Sequence, residues 1–144
     1  MATVRDIISV KGSQVLTVGP YTSVLNAALL MNEHKIGGLV VIEDGQIQGM
    51  FTERDILSRV VVPRLDPAET LVEEVMSREV VYCQPHTSLE EARSVLKNRR
   101  IRHLPVLDNG LLCGLISIGD LNAHQATAQE QTIHLLHEYL YGRV

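Results

Sequence analysis

Two short stretches place a hydroxyl side chain three residues before a carboxylate, directly after an apolar run that contains one glycine. The first motif is Thr52 with Asp55, and the second is Ser117 with Asp120. A carboxylate can accept both vicinal hydroxyls of a ribose, and a hydroxyl at a helix N-terminus can donate to phosphate oxygens beside free backbone amides. Such residues are suited to binding the sugar and phosphate of a nucleotide.

The same spacing also fits a purely structural role, the capping box. There the hydroxyl accepts a hydrogen bond from the third helical amide, and the carboxylate accepts one from the amide of the capping residue. On this interpretation Asp55 and Asp120 only begin helices. A single motif leaves both interpretations open, and its recurrence within a larger repeat favours ligand binding.

The two motifs belong to an internal repeat with a period of 65 positions. The matching landmarks are Thr22-Ser23-Val24 with Thr87-Ser88-Leu89, Ile36 with Ile101, Gly49 with Gly114 and Asp55 with Asp120. Upstream, 4–9 resembles 72–77 at a shift of 68. Duplication at this length indicates two supersecondary units, each too small to bury its own sheet face. We therefore expect the two to pack on each other about a pseudo-twofold axis.

Each repeat has the pattern of strand, helix, strand, strand, helix. In the first repeat we predict a strand over 15–18, a helix from Thr22 or Ser23 to about 34, strands over 36–42 and 47–51 joined at Asp44-Gly45, and a helix over 52–62. Thr3 with Asp6 predicts a further helix over 2–9. The predicted fold is α/β (α+β), with repeats at 1–66 and 67–126 in one compact module and an amphipathic helix in 127–144.

Composition excludes several classes of function. The 144 residues carry a formal net charge of −4, so no general basic field favours nucleic acid. No apolar stretch approaches the roughly 18 residues of a membrane span, and no leader pattern is present, so we expect a cytoplasmic location and no membrane partner. Cys83 and Cys113 lie in apolar runs and are expected to be free buried thiols.

The repeat resembles a tandem pair of cystathionine β-synthase (CBS) domains over roughly residues 3–124. The resemblance rests on Arg102-His103-Leu104-Pro105-Val106 and on the paired Gly-x-x-Thr/Ser-x-x-Asp stretches that begin at Gly49 and Gly114. In that family such a pair forms a Bateman module with two clefts that bind adenosine compounds: AMP, ADP, ATP, sometimes NAD or S-adenosylmethionine. The resemblance implies a stand-alone, non-enzymatic regulatory module that forms a homodimer and signals to an unidentified protein. The nucleotide would be a regulatory ligand, with no cofactor required.

The chemistry of an adenine nucleotide then assigns the candidate binding residues. Asp55 and Asp120 would bind ribose, and Thr52 and Ser117 would bind phosphate. An adenine slot would be lined by strand edges at Thr17, Val18, Gly37, Gly38, Leu39, Val81, Tyr82, Leu104 and Pro105. The resemblance assigns Arg102 and His103 to phosphate contacts.

The two clefts cannot be chemically equal. The first-repeat counterparts of Arg102 and His103 are Gly37 and Gly38, so we expect the second cleft to bind phosphorylated ligands more tightly. Arg54, whose counterpart is Gly119, either reaches a phosphate or pairs with a neighbouring acid.

Two other functions stay open from the sequence. The chain could be a ligand-free dimerisation or protein-interaction module, or it could be an enzyme. His134 with His137 is a weak metal signal without a third ligand, so no metal site is predicted. No nucleophile-and-base set or Walker loop can be placed, so no catalytic residue is predicted.

Overall fold

The computed structural model describes residues 1–126, which fold into two compact units. The first unit is Gln14–Tyr82, and the second unit combines Met1–Ser13 with 83–126. The elements are α1 (Val4–Lys11), β1 (Thr17–Val18), α2 (Val24–His34), β2 (Gly38–Glu43), β3 (Gln46–Thr52), α3 (Glu53–Ile56), α4 (Val72–Val75), α5 (Leu89–Arg99), β4 (His103–Asp108) and β5 (Leu111–Ser117). A final helix, α6, begins at 118 and extends to 126. The helix predicted in 127–144 lies outside the described residues.

The first unit is built on a three-stranded sheet in the order β1-β2-β3. β1 is parallel to β2, and β2 is antiparallel to β3 across the predicted turn at Asp44 and Gly45, both of which have positive φ. Ser23 begins α2, because its Oγ accepts a hydrogen bond of 3.1 Å from the Asn26 amide. The core of this unit is apolar and contains Val24, Ala27, Met31, Leu39, Val41, Phe51, Val60, Val72, Val75 and Met76.

The second unit repeats this plan with one reduction. β4 and β5 form an antiparallel ladder across Asn109-Gly110, and both ladders are bulged at matching positions, after Val41 and after Val106. The expected first strand is reduced to a single bridge from Cys83 to Val106. Val81 and Tyr82, predicted to form a strand edge, therefore lie in irregular chain.

The compact units do not coincide with the repeats along the sequence. α1 belongs to the second unit, where the Val4 amide donates to the Thr87 carbonyl at 2.9 Å. α4 belongs to the first unit, where the Val72 amide donates to the Thr22 carbonyl at 2.8 Å. Each repeat is thus completed by the short helix that precedes the other repeat in the sequence.

The glycine of each motif is a packing position for these short helices. A Cβ on Gly49 would lie 2.6 Å from the Ser77 carbonyl oxygen, and a Cβ on Gly114 would collide with the Ile8 side chain. Close approach of a neighbouring segment to the strand therefore requires glycine at both positions.

The helix that follows the first motif changes its hydrogen-bond register. α3 continues into a π-helix over Leu57–Val61, where the Val62 amide donates to the Leu57 carbonyl at 3.0 Å. The helix predicted over 52–62 is thus present, and its π segment was not indicated by the sequence. Across residues 1–126 no helix has the length and apolar character needed to cross a membrane.

Candidate functional site

The first motif, at the start of α3, is closed within its own unit. Oδ2 of Asp55 accepts hydrogen bonds from the Thr52 amide at 3.0 Å and the Thr52 hydroxyl at 3.3 Å. Oδ1 accepts one from Ser77 Oγ at 3.5 Å and lies 3.9 Å from Nε of Arg59. The Asp55 side chain is only 7% exposed, so both of its oxygens are held by protein groups.

The second motif, at the start of α6, is more open and carries a full ion pair. Oδ2 of Asp120 accepts hydrogen bonds from the Ser117 amide at 2.8 Å and from Nζ of Lys11 at 2.7 Å. The Asp120 amide donates to Ser117 Oγ at 3.1 Å. The Asp120 side chain is 24% exposed, so this carboxylate reaches solvent where Asp55 does not.

The second motif therefore forms a full capping box, whereas in the first Asp55 accepts hydrogen bonds from both the amide and the hydroxyl of Thr52. The structural interpretation of the spacing is thus correct for the two aspartates, each of which accepts the amide at the start of its helix. Capping uses one oxygen of each carboxylate and leaves the second oxygen to other partners. The capping role and a ligand role are thus compatible at Asp120.

The cationic residues predicted for the second repeat lie beside the second motif. His103 is directly opposite Ser117 in the β4-β5 ladder, and the Ile118 amide donates to the Arg102 carbonyl at 3.0 Å. This places His103 and Ser117 in a non-hydrogen-bonded pair, where side chains approach most closely. The backbone of Arg102 and His103 thus lies opposite Ser117 and Ile118, at the start of the helix that carries Asp120, and Arg102 is exposed.

In the first unit the counterparts of Arg102 and His103 are glycines, and an acidic side chain lies over the first of them. Gly38 lies opposite Thr52, and the Glu53 amide donates to the Gly37 carbonyl at 3.0 Å. The Glu53 carboxylate lies over Gly37, since a Cβ there would be 3.2 Å from its Oε1. A carboxylate at this point disfavours a phosphate by like-charge repulsion.

The candidate adenine-lining residues differ in accessibility. Leu39 and Leu104 have no exposed surface, so they lie behind any surface that a ligand could contact. Pro105 is buried in β4, with its carbonyl accepting from the Cys83 amide at 3.0 Å, whereas Thr17 and Tyr82 are exposed. The remaining candidates in this set, Val18, Gly37 and Val81, are partly exposed, and Gly38 is buried. Arg54 is exposed on α3, and Gly119 lies in the first turn of α6.

Three residues at the motifs were missed by the sequence analysis. Arg59 lies four positions after Asp55 on the same helix, and oppositely charged side chains at this spacing often pair. The sequence therefore held a signal for this contact. Ser77 and Lys11 reach their aspartates from distant segments, 22 and 109 positions away, so no local pattern indicates them.

The two cysteines are free, as predicted. Cys83 is buried, and burial is the main reason that its pKa rises to about 12, with smaller contributions from Cys113 and Glu91. Cys113 is only partly buried, and burial raises its thiol pKa as well. Within residues 1–126, no three His, Cys, Asp or Glu side chains gather as metal ligands.

Comparison with known proteins identifies the family. The CBS domain model matches twice, at residues 4–62 and 72–126, and the chain belongs to this family as a tandem pair. The CBS domain-containing protein YhcV of Bacillus subtilis is 39% identical over 125 residues, which is 87% of this chain and 86% of that protein. A putative signal-transduction protein with CBS domains from Burkholderia ambifaria superposes with a TM-score of 0.85 at 40% identity, covering 90% of this chain and 97% of that one.

Two other similar solved structures contain bound ions or small molecules. Hypoxic Response Protein I, with two coordinated zinc ions, is 30% identical with a TM-score of 0.72, over 86% of this chain and 99% of that one. The CBS domain pair of protein MJ0100, in complex with 5′-methylthioadenosine and S-adenosyl-L-methionine, is 20% identical with a TM-score of 0.79, over 89% and 98%. The second likeness shows a shared fold.

Proposed function

We propose that this chain is a non-enzymatic regulatory module that binds an adenosine-containing ligand at the second motif and signals to a partner protein. The observation that carries the proposal is the partly exposed carboxylate of Asp120, whose motif partner Ser117 lies opposite His103, with Arg102 next to it in the chain. A carboxylate for ribose and a guanidinium for phosphate are the two charges that a nucleotide needs.

The fold itself is compatible with this class of ligand. A CBS pair of the same fold is described in complex with two adenosine compounds. Because that protein is only 20% identical, ligand specificity in this chain has to come from its own residues. AMP, ADP, ATP, NAD and S-adenosylmethionine are the candidates.

The first motif is the weaker candidate for a phosphorylated ligand. Its carboxylate is almost fully buried, and Glu53 lies where the second repeat has no acid. Bringing a phosphate beside Glu53 would add like-charge repulsion without a compensating cation at Gly37 or Gly38. We therefore assign the regulatory ligand to the second motif.

A thermal-shift panel tests the proposal directly. A ligand that binds only the folded state raises stability by RT ln(1 + [L]/Kd), so a concentration of 100 Kd gives about 2.7 kcal/mol. AMP, ADP, ATP, NAD and S-adenosylmethionine are added singly, with guanosine monophosphate as a control for adenine recognition. A rise in Tm with at least one adenosine compound is expected, and no rise with any of them contradicts the proposal.

A second function, self-association, is favoured by a separate observation in the first unit. Leu25 and Leu29 on α2 are 41% and 57% exposed, and Leu57 and Val61 on the π-helix are 59% and 58% exposed. Their counterparts in the second repeat are mostly polar: Glu90, Ser94, Asn122 and Ala126. Exposed apolar side chains at positions that are mostly polar in the other repeat favour a protein interface in the first unit.

The homodimer predicted from the sequence is therefore assigned to these exposed side chains of the first unit. We expect Leu29→Glu to convert a dimer into a monomer in sedimentation at micromolar concentration, because it buries a charge in an apolar contact. The matched control is Ser94→Glu, at the same place in the second repeat, which should stay dimeric. A wild-type monomer of 16.0 kDa under these conditions contradicts the assignment.

A further inference from the structure

The carboxylate that we assign to ribose is already bound by a lysine. Nζ of Lys11, the last residue of α1, lies 2.7 Å from Oδ2 of Asp120. The same ammonium donates to the Leu115 carbonyl oxygen of β5 at 2.7 Å. Lys11 thus joins the end of α1 both to the second motif and to the strand that leads into it.

This contact uses the oxygen that a ribose would need. Oδ2 of Asp120 also accepts the Ser117 amide at 2.8 Å, and a carboxylate oxygen has about two acceptor sites. A ribose that presents two hydroxyls to one carboxylate requires both oxygens. The Ser117 amide is fixed by the backbone at the start of α6, whereas the Lys11 side chain is 41% exposed on a flexible stem. Of the two donors, Lys11 is the one that can leave.

We propose that Lys11 is a displaceable latch on the second motif. In the ligand-free protein it pairs with Asp120 and holds the end of α1, and ribose binding releases it and loosens the end of that helix. This inference rests on the proposed function of the Ser117–Asp120 site. It makes α1 the element whose mobility reports ligand occupancy, and so the surface that a regulated partner would sense.

The latch is confined to one motif. At the shift of 68 that relates α1 to α4, the counterpart of Lys11 is Glu79, an acid that cannot pair with Asp55. Asp55 instead has the looser Arg59 contact of 3.9 Å from within its own helix. Ligand-dependent release is therefore expected at α1 and not at α4.

The test measures adenosine binding by calorimetry in the wild type, in Lys11→Met and in Lys97→Met. Adenosine is the probe because it carries the ribose hydroxyls but no phosphate, so loss of a positive charge removes no phosphate contact. Lys97→Met is the control, since it removes the same charge from an exposed position on α5 of the same unit. Lys11→Met should bind adenosine about three- to tenfold more tightly, because no ion pair has to be broken. Lys97→Met should match the wild type.

Hydrogen exchange of the wild type gives a second measurement that depends on no variant. Adenosine should speed exchange of amides 9–12, at the end of α1, and leave the corresponding end of α4 unchanged. Unchanged or weaker adenosine binding by Lys11→Met overturns the latch, as does unchanged or slower exchange over 9–12 when adenosine is bound. Failure of adenosine and AMP to bind the wild type or either variant contradicts the proposed function itself.

Discussion

The two Thr/Ser-x-x-Asp motifs share one backbone plan but carry different charges around their aspartates. Both begin a helix after a bulged strand, and in both the aspartate accepts a hydrogen bond from the amide of the hydroxyl residue. Asp55 is buried, with Arg59 at 3.9 Å, whereas Asp120 is 24% exposed and paired with Lys11 at 2.7 Å. The two repeats thus share the backbone geometry of the motif and differ in the side chains around its aspartate.

The same division holds on the strand opposite each motif. Gly37 and Gly38 face the first motif beneath the Glu53 carboxylate, and Arg102 and His103 face the second. At the same place in the fold, one repeat thus has an acidic side chain over two glycines and the other has two basic residues.

Removing the guanidinium beside the second motif should weaken phosphate binding strongly. A charge-assisted hydrogen bond contributes about 1.5–3 kcal/mol, so Arg102→Ala should weaken AMP binding roughly ten- to a hundredfold. Calorimetry with AMP and with adenosine measures the effect. Adenosine affinity should change little, since it has no phosphate, and an equal loss for both ligands would show that Arg102 acts on the fold and not on phosphate.

Replacing each of the two motif glycines with alanine should lower the free energy of unfolding by different amounts. In Gly49→Ala the new Cβ meets the Ser77 backbone oxygen, which cannot move alone, so we expect a loss of about 1–3 kcal/mol in the free energy of unfolding. In Gly114→Ala it meets the end of the Ile8 side chain, which can rotate, and the loss should be smaller. Urea denaturation of both variants measures this order. A larger loss for Gly114→Ala would indicate that α1 is held more rigidly than α4.

The smallest expected effect is on the free energy of unfolding at alkaline pH, where the second repeat has a buried thiol. Cys83 stands where the first repeat has Val18, and burial raises its pKa from 9.0 to about 12. The folded state holds the Cys83 proton more tightly than the unfolded state does. The stabilisation that results is fully present below pH 9 and is lost as the pH rises toward 12. In urea denaturation at pH 7 and pH 10, the free energy of unfolding should fall less between the two pH values for Cys83→Val than for the wild type. An identical pH dependence in wild type and variant would contradict it.

Local patterns in the sequence were sufficient for most of the elements. The turns at Asp44-Gly45 and Asn109-Gly110, the serine caps of α2 and α5 and the carboxylate caps at Asp6, Asp55 and Asp120 are set by neighbouring residues, and all are present. Their signals act over two to four positions, which is the range that sequence patterns describe well.

Contacts between distant segments were beyond those patterns. The pairing of α1 with the second unit, the ion pair of Lys11 with Asp120 and the reduction of the strand at Val81-Tyr82 depend on which segments meet in three dimensions. The sequence repeat indicated that the two motifs differ at Arg102 and His103, and could not indicate that a lysine 109 positions away occupies Asp120. The difference between the two motifs was thus accessible from the sequence, and the distant contacts of their aspartates were not.

The second motif, and not the first, is expected to bind the regulatory ligand. Calorimetric titration of AMP into the wild type, Asp120→Ala and Asp55→Ala tests it most directly, with circular dichroism to establish that each variant is folded. We predict that Asp120→Ala abolishes measurable AMP binding, while folded Asp55→Ala retains an affinity close to that of the wild type. Undiminished binding by Asp120→Ala together with loss of binding by folded Asp55→Ala would contradict the account and assign the ligand to the first motif.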